Sequence, residues 1–234
     1  MPYVTGGLPG VDADLLRGLA DAGADAIEVG IPFSDPVMDG PVIQEASHRA
    51  LRSGARLEAV VSEIAEAAID VPVVVMTYVN PVLALGFDRF LEVVDGVVSG
   101  AIIPDLPVDE ADGWLAAASR GFATVFLAAP GTSKERLGRV AGTSRGFVYC
   151  VSTYGVTGAR TSLDQTAAGL VADLRPLTDT PLLVGVGIGT PAAAAAACRF
   201  ADGVVVGSAL VRPLLDGDRD EMLAIAKRFR SAIG

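Results

Sequence analysis

Residues 26–40 read Ala26-Ile27-Glu28-Val29-Gly30-Ile31-Pro32-Phe33-Ser34-Asp35-Pro36-Val37-Met38-Asp39-Gly40. A short apolar run carries one carboxylate, Glu28, and the turn-rich loop behind it carries a second, Asp39. Burying Glu28 in a strand is costly unless a ligand or a partner group meets the charge. Catalytic groups in α/β proteins sit at the carboxyl ends of parallel strands. The pair therefore indicates an active site, although a satisfied core acid at Glu28 and a turn-forming Asp39 before Gly40 would produce the same pattern.

Outward from this stretch, apolar runs of strand length alternate with helical segments along the chain. The runs lack the polar alternation of a half-exposed strand, which is typical of a parallel sheet covered on both faces. We predict strands at 2–5, 26–30, 72–77, 101–104, 123–128, 147–151, 181–184 and 203–206. We predict helices at 12–22, 42–51, 57–68, 87–94, 110–119, 134–140, 163–174, 191–199 and 221–232. In 234 residues this favours one closed (β/α)8 TIM barrel as a single domain over residues 1–234, with a doubly wound open sheet as the alternative.

The composition excludes several classes of protein. Hydrophobic residues make up 51% and charged residues 20% of the chain, which is enough apolar material for a core and argues against disorder. A net charge of −10 is unfavourable for a nucleic-acid surface. No apolar run reaches the roughly 18 residues of a membrane span, and the first residues show no signal-peptide pattern. Because Cys150 and Cys198 both lie in apolar contexts, we expect reduced core cysteines in a cytoplasmic protein.

Two glycine-rich turns follow the seventh and eighth predicted strands. They read Val184-Gly185-Val186-Gly187-Ile188-Gly189-Thr190-Pro191 and Val206-Gly207-Ser208-Ala209. In the first, we expect Thr190 to cap a helix that has Pro191 at its first position. Glycines let backbone N–H groups approach phosphate oxygens, and a helix N-terminus favours negative charge, so we predict a phosphate site. A loop of small and hydroxylated residues at 152–161 is expected to close over this site, with a flexible connector as the alternative.

Scarce residue types exclude other chemistries. Schiff-base catalysis needs a lysine at the catalytic face, and the two lysines, Lys134 and Lys227, lie in polar helical segments. A zinc site needs several histidines or cysteines, and the single histidine, His48, cannot supply it. A Ser-His-Asp triad and a Cys-His pair are excluded for the same reason. General acid–base catalysis by carboxylates remains.

Several motifs recur in a known family. They are Ile27-Glu28-Val29-Gly30-Ile31-Pro32-Phe33-Ser34-Asp35-Pro36, Asp39-Gly40-Pro41-Val42-Ile43-Gln44, Met76-Thr77-Tyr78-Val79-Asn80-Pro81, Pro104-Asp105-Leu106-Pro107-Val108, Gly155-Val156-Thr157-Gly158, Gly185-Val186-Gly187-Ile188 and Gly207-Ser208-Ala209. In this order they cover essentially the whole chain and resemble the signature of the tryptophan synthase alpha chain family.

The resemblance implies a barrel that splits indole-3-glycerol phosphate into indole and glyceraldehyde 3-phosphate in tryptophan biosynthesis. It implies no cofactor in this chain and a partner, the pyridoxal-phosphate-dependent beta chain, in an alpha2-beta2 assembly. One alternative is a stand-alone lyase that supplies indole to another pathway. Another is a non-catalytic subunit that activates the beta chain, against which the intact Glu28 and Asp39 speak.

The resemblance also implies a role for individual residues. Glu28 matches the acid/base that protonates the ring carbon bearing the glycerol chain and takes a proton from the adjacent side-chain hydroxyl. Asp39 matches the carboxylate that pairs with the ring N–H. The phosphate-binding positions are matched by Gly158, Gly187, Gly207 and Ser208. The lid threonine is matched by Thr157, and the walls of the indole pocket are matched by Tyr3, Met76, Tyr78, Leu127 and Tyr149.

Three features depart from the family pattern. Met38 precedes the catalytic aspartate, where the family usually has a smaller residue, and Thr153 stands where some members carry an arginine. The family's usual N-terminal helix, which plugs the barrel floor, does not precede the first predicted strand. Either the floor is open, or Met1 lies within a longer natural protein. In the first case we expect an open floor that exposes apolar side chains such as Val4 and Val73 and leaves the protein marginally stable.

Overall fold

The computed structural model describes residues 1–118, 121–151, 160–185 and 187–234, with the side chains of all of these except 160–164. The strands are β1 Tyr3–Thr5, β2 Ile27–Gly30, β3 Val73–Met76, β4 Gly100–Ile102, β5 Ala123–Val125, β6 Leu127–Ala128, β7 Val148–Val151, β8 Leu182–Gly185 and β9 Gly203–Val204. The α-helices are α1 Ala13–Asp21, α2 Pro41–Arg52, α3 Leu57–Ala67, α4 Val79–Leu85, α5 Phe87–Val94, α6 Asp112–Ala117, α7 Lys134–Thr143, α8 Arg160–Leu174, α9 Pro191–Ala197, α10 Ser208–Leu215 and α11 Arg219–Ile233. Short 3-10 helices lie at Val108–Glu110 and Arg175–Leu177. In the described part of the chain, no helix has both the length and the apolar character needed to cross a membrane.

The strands form one parallel barrel. Strands β1 to β5 pair in chain order, and so do β6 to β9. Strands β5 and β6 lie on either side of Phe126, whose carbonyl accepts the N–H of Tyr149 at 3.0 Å, so together they fill one strand position that joins the two groups. The N–H of Tyr3 donates to Val206 O at 2.9 Å and the N–H of Val206 donates to Met1 O at 3.0 Å, which links β1 to the residues after β9. The predicted (β/α)8 barrel is confirmed.

Side chains along the strands alternate between an inner and an outer apolar layer. The inner layer is a buried cluster of Val74, Ile102, Val125 and Phe147, with Met1, Met76, Leu127, Tyr149 and Leu183 packed against it. The expected exposure of Val4 and Val73 is wrong, because these side chains are only 0% and 3% exposed. Both point to the outer layer, where they share a buried cluster with helix residues such as Leu16. The exposure of these residues is therefore decided by the direction of the side chain and not by its distance from the barrel floor.

The loops at the carboxyl side of the strands end where the following helices begin. Thr190 accepts the N–H of Ala193 at 3.2 Å and Pro191 begins α9, as predicted. The sequence analysis did not predict α4, in whose first turn Pro81 lies, a position where its lack of an N–H costs no hydrogen bond. It also gave no bounds for α10, whose first residue, Ser208, directly follows Gly207.

Candidate active site

Glu28 faces the interior of the barrel from β2. It pairs in register with Tyr3 of β1 and Val74 of β3, and Val74 belongs to the inner layer. Its side chain is 1% exposed, and its Oε2 has no hydrogen-bond partner among the described residues. Burial, together with the negative charge of Asp39, raises the pKa of Glu28 to about 8. At neutral pH the carboxyl group is therefore protonated and can act as an acid.

Asp39 lies in the loop between β2 and α2. The Tyr78 hydroxyl donates to Asp39 Oδ2 at 3.1 Å, and the N–H of Met38 donates to the same hydroxyl at 3.0 Å. Burial raises the pKa of Asp39 to about 6, and the hydrogen bond from Tyr78 opposes that rise. Above about pH 6 the group is ionised. The two acids are thus held in opposite protonation states at neutral pH, the arrangement that separates acid and base roles in enzymes.

Tyrosine phenols line the space around the two carboxyl groups. The phenol oxygen of Tyr3 stands 2.1 Å from where a Cβ on Gly30 would lie, and that of Tyr149 stands 2.2 Å from the corresponding point on Gly185. The absent side chains of these glycines therefore make room for the rings. Burial raises the pKa of Tyr3 and Tyr149 well above the ordinary value, and the nearby carboxylates add to the rise. Both phenols are neutral over the working pH range.

The structure brings the predicted wall residues to one end of the barrel. Met76, Leu127 and Tyr149 pack together against the inner layer. Tyr3 lies beside Glu28 in register, and Tyr78 reaches Asp39 through its hydroxyl. Lys134 and Lys227 lie in α7 and α11 with exposed side chains, as their sequence context predicted. Among the described residues, no group of three or more His, Cys, Asp and Glu side chains could hold a metal ion.

The predicted phosphate-binding residues lie at the ends of neighbouring strands. Gly187 follows β8 with a φ of +84°, a conformation that favours glycine, and Gly189 N–H donates to its carbonyl at 2.9 Å. Gly207 precedes α10, and the nearest side-chain atoms to a Cβ built there are 3.9 Å away. Ser208, the first residue of α10, is exposed. Thr157 and Gly158, predicted as the lid threonine and a phosphate-binding glycine, lie outside the described residues, as does Thr153.

Two residues of the site were missed in the sequence. Asp105, just after β4, accepts the N–H of Val79 at 2.8 Å and so fixes the start of α4. Phe33 stacks on Tyr78 with ring centroids 5.3 Å apart. The signal for Asp105 was present, because it is a carboxylate directly after a predicted strand, where catalytic groups sit in α/β proteins. Phe33 carried no such signal, since a loop aromatic can face solvent or protein.

The chain matches known proteins over nearly all of its length. The family model described as "Tryptophan synthase alpha chain" matches residues 1–231. The tryptophan synthase alpha chain of Streptomyces coelicolor is 47% identical over 223 residues, covering 94% of this chain and 80% of that protein. That of Synechocystis is 42% identical, covering 98% of this chain and 89% of that protein. A crystal structure of Mycobacterium tuberculosis tryptophan synthase in its aminoacrylate-bound form superposes with a TM-score of 0.89 at 38% identity, covering 100% of this chain and 92% of that one.

Proposed function

The chain belongs to the tryptophan synthase alpha chain family, with the alpha subunit's role in tryptophan biosynthesis, and we propose that it cleaves indole-3-glycerol phosphate with Glu28 and Asp39. The observation that carries this proposal is the pair formed by buried Glu28 and half-buried Asp39. Glu28 has a pKa of about 8 and an unpartnered oxygen among the described residues, while Asp39 has a pKa of about 6. Between these values one group donates a proton and the other carries a negative charge.

In the first step, Glu28 donates its proton to the indole ring carbon that bears the glycerol chain. The ring then carries a positive charge that is shared with its nitrogen. Ionised Asp39 accepts the ring N–H and stabilises this charge, which is largest in the transition state and the cation that follows it. Because the site is buried, the interaction is stronger than it would be in water.

In the second step, the bond between the ring carbon and the side chain breaks. Its electron pair returns to the ring, which becomes indole. The hydroxyl on the departing carbon loses its proton to Glu28, now a carboxylate, and becomes the aldehyde of glyceraldehyde 3-phosphate. Glu28 is then protonated again, so the cycle needs no other proton carrier and no cofactor in this chain.

Backbone groups at Gly187, Gly207 and Ser208 would hold the substrate phosphate. Both glycines lack a side chain that would keep an oxygen from the main chain, and the first N–H groups of α10 are free of helical partners. A backbone site suits a chain with a net charge of −10, because it attracts an anion without a basic cluster. The resemblance adds Gly158 to this site and Thr157 to the lid.

A partner of the beta-chain type would dock on the rim above this site, in an alpha2-beta2 assembly in the cytoplasm. Val37, in the loop that carries Asp39, is 76% exposed, and Leu83 on α4 is 57% exposed. Met38 and Leu85 add exposed apolar area near them. Apolar side chains at the mouth of a site are typical of a protein interface, and indole is itself apolar. Pyridoxal phosphate would be bound by the partner alone.

The deciding experiment is an indole assay on the purified full chain with indole-3-glycerol phosphate. We expect indole to form, to form faster when a purified beta chain is added, and to stop forming in Glu28→Gln. Equal rates with and without the beta chain, and no co-purification, would favour the stand-alone lyase. No indole under any condition, with a beta chain that is nevertheless activated, would favour the non-catalytic subunit.

A further inference from the structure

Tyr78 has a second feature besides its ring. Its hydroxyl donates to Asp39 Oδ2 at 3.1 Å and accepts the N–H of Met38 at 3.0 Å, so it binds a side chain and the backbone of the same loop. Its side chain is almost fully buried, and Phe33 stacks on its ring. A residue that merely lined the indole pocket would not need these two hydrogen bonds.

The backbone around Tyr78 is anchored on both sides. Thr77 N–H donates to Ile102 O at 3.0 Å, and Val79 N–H donates to the Asp105 carboxylate at 2.8 Å. The phenol therefore extends from a fixed point at the ends of β3 and β4.

The loop at 34–39, by contrast, is mostly exposed. Within it, Asp39 N–H donates to Pro36 O at 3.0 Å, and Gln44 of α2 donates to Asp39 O at 2.8 Å. Among the described residues, the hydrogen bonds from this loop to any strand end run through the Tyr78 hydroxyl.

We propose that Tyr78 is a positioning residue for Asp39. Its hydroxyl holds Oδ2 and leaves Oδ1 directed to accept the ring N–H of the substrate. The proposal rests on the proposed function, because it assigns the geometry of the carboxylate that function requires. It extends the implied role of Tyr78 from pocket wall to a link between the barrel and the catalytic loop.

The electrostatics give this link a measurable signature. The groups that face Asp39 are Glu28 from β2, the phenols of Tyr3 from β1 and Tyr149 from β7, and Tyr78 itself. The three phenols have raised pKa values and stay neutral, so Glu28 is the described neighbour that titrates between pH 5 and 9. Since the Tyr78 hydrogen bond lowers the pKa of Asp39, removing it raises that pKa further above 6.

The test is Tyr78→Phe in the full chain, with and without a beta chain, measured as kcat and KM for indole-3-glycerol phosphate from pH 5 to 9. The ring and its contact with Phe33 are kept, and only the hydroxyl is lost. We expect kcat to fall by about tenfold or more, KM to change much less, and the acid limb of the kcat profile to move up by about one pH unit. A tyrosine that only supported the fold would not shift the acid limb.

Tyr3→Phe is the matched control, because it removes a phenol hydroxyl in the same barrel that bonds Thr5 instead of Asp39. Its acid limb is expected to stay at the parent's pH. The substrate phosphate contributes equally to the profiles of both variants, so it cannot cause a difference between them. An acid limb and a kcat in Tyr78→Phe equal to those of the parent would overturn the proposal. A parent protein that forms no indole would instead overturn the proposed function.

If Tyr78→Phe does not fold, Asp105 decides the question. Asp105→Ala removes the acceptor for Val79 N–H and frees the backbone next to Tyr78, whereas Asp105→Asn keeps an acceptor oxygen. We expect the alanine variant to shift the acid limb upward more than the asparagine variant does. Equal profiles for these two variants would overturn the proposal.

Discussion

The two halves of the barrel, strands β1 to β5 and strands β6 to β9, contain the same packing arrangement of a tyrosine over a glycine. In the first half the phenol of Tyr3 lies across Gly30, and in the second the phenol of Tyr149 lies across Gly185. In both halves the glycine pairs with the residue two positions after the tyrosine on the preceding strand. The same arrangement of a glycine backbone and a phenol ring therefore occurs in both halves.

The residue directly opposite the tyrosine is where the halves differ. Tyr3 pairs with Glu28, whereas Tyr149 pairs with Leu183, a member of the inner apolar layer. Leucine is what packing favours at such a position, and a carboxyl group there costs free energy unless it remains protonated. The raised pKa of Glu28 reflects this free-energy cost of burying an ionised carboxyl group. Under the proposed function, the first half gives up stability for chemistry, whereas the second half would hold the substrate phosphate with its backbone.

The largest effect is expected in Glu28→Gln. Glutamine keeps the shape but cannot donate and regain a proton, so we predict a loss of about 10²–10⁴-fold in kcat for indole formation. Glu58→Gln is the matched control, since it makes the same change at an exposed position on α3. If Glu28→Gln kept activity within about threefold of the parent, the chemistry would not reside in this half.

The same substitution should stabilise the protein, increasingly so as the pH rises. Glu28 holds its proton up to about pH 8 in the folded chain but only to about 4.5, its ordinary value, in the unfolded chain. The folded state therefore binds more protons between these values, and the free energy of unfolding falls as the pH rises through this window. Glu28→Gln removes this loss. We expect its Tm to exceed the parent's by at least about 4 °C at pH 8 and by much less at pH 4.5.

Glu58→Gln serves here too, because it makes the same substitution at an exposed position on α3. A Tm difference between Glu28→Gln and the parent that is constant with pH would mean that Glu28 is already ionised in the folded protein. The buried carboxyl group of Glu28 would then cost the first half less stability than the comparison requires.

The shared arrangement predicts that Gly30→Ala and Gly185→Ala have similar effects on stability. Each added Cβ would fall within 2.3 Å of a phenol oxygen, so the ring or a strand must move, at about 1–3 kcal/mol. Urea unfolding measures this. Gly138→Ala in α7 is the control, because a Cβ there meets nothing within 4 Å and alanine is the better helix former. A large loss for one glycine and none for the other would show that the halves are not equivalent.

The sequence was sufficient for the barrel and for placing Glu28 in a buried strand. Apolar runs without alternation reveal buried parallel strands, and a carboxylate inside one of them is conspicuous. The sequence was insufficient where a contact joins distant residues. The tyrosine–glycine pairs have different chain spacings in the two halves, so no repeat is visible. The hydrogen bond from Tyr78 to Asp39 likewise depends on where a loop returns, and the pattern around Val4 did not reveal which face of its strand is covered.

The smallest effect is expected in the second half, in Ser208→Ala. If the phosphate is held mainly by backbone N–H groups, loss of the Ser208 hydroxyl removes at most one additional contact, and that contact is equally strong in the ground and transition states. KM should therefore rise about threefold to tenfold while kcat stays within about twofold. Ser231→Ala, exposed on α11, is the control and should change neither. A fall in kcat comparable to that of Glu28→Gln would contradict the division into a chemical half and a binding half. So would a structure with bound substrate analogue in which arginine side chains, instead of the backbone after β8 and β9, hold the phosphate.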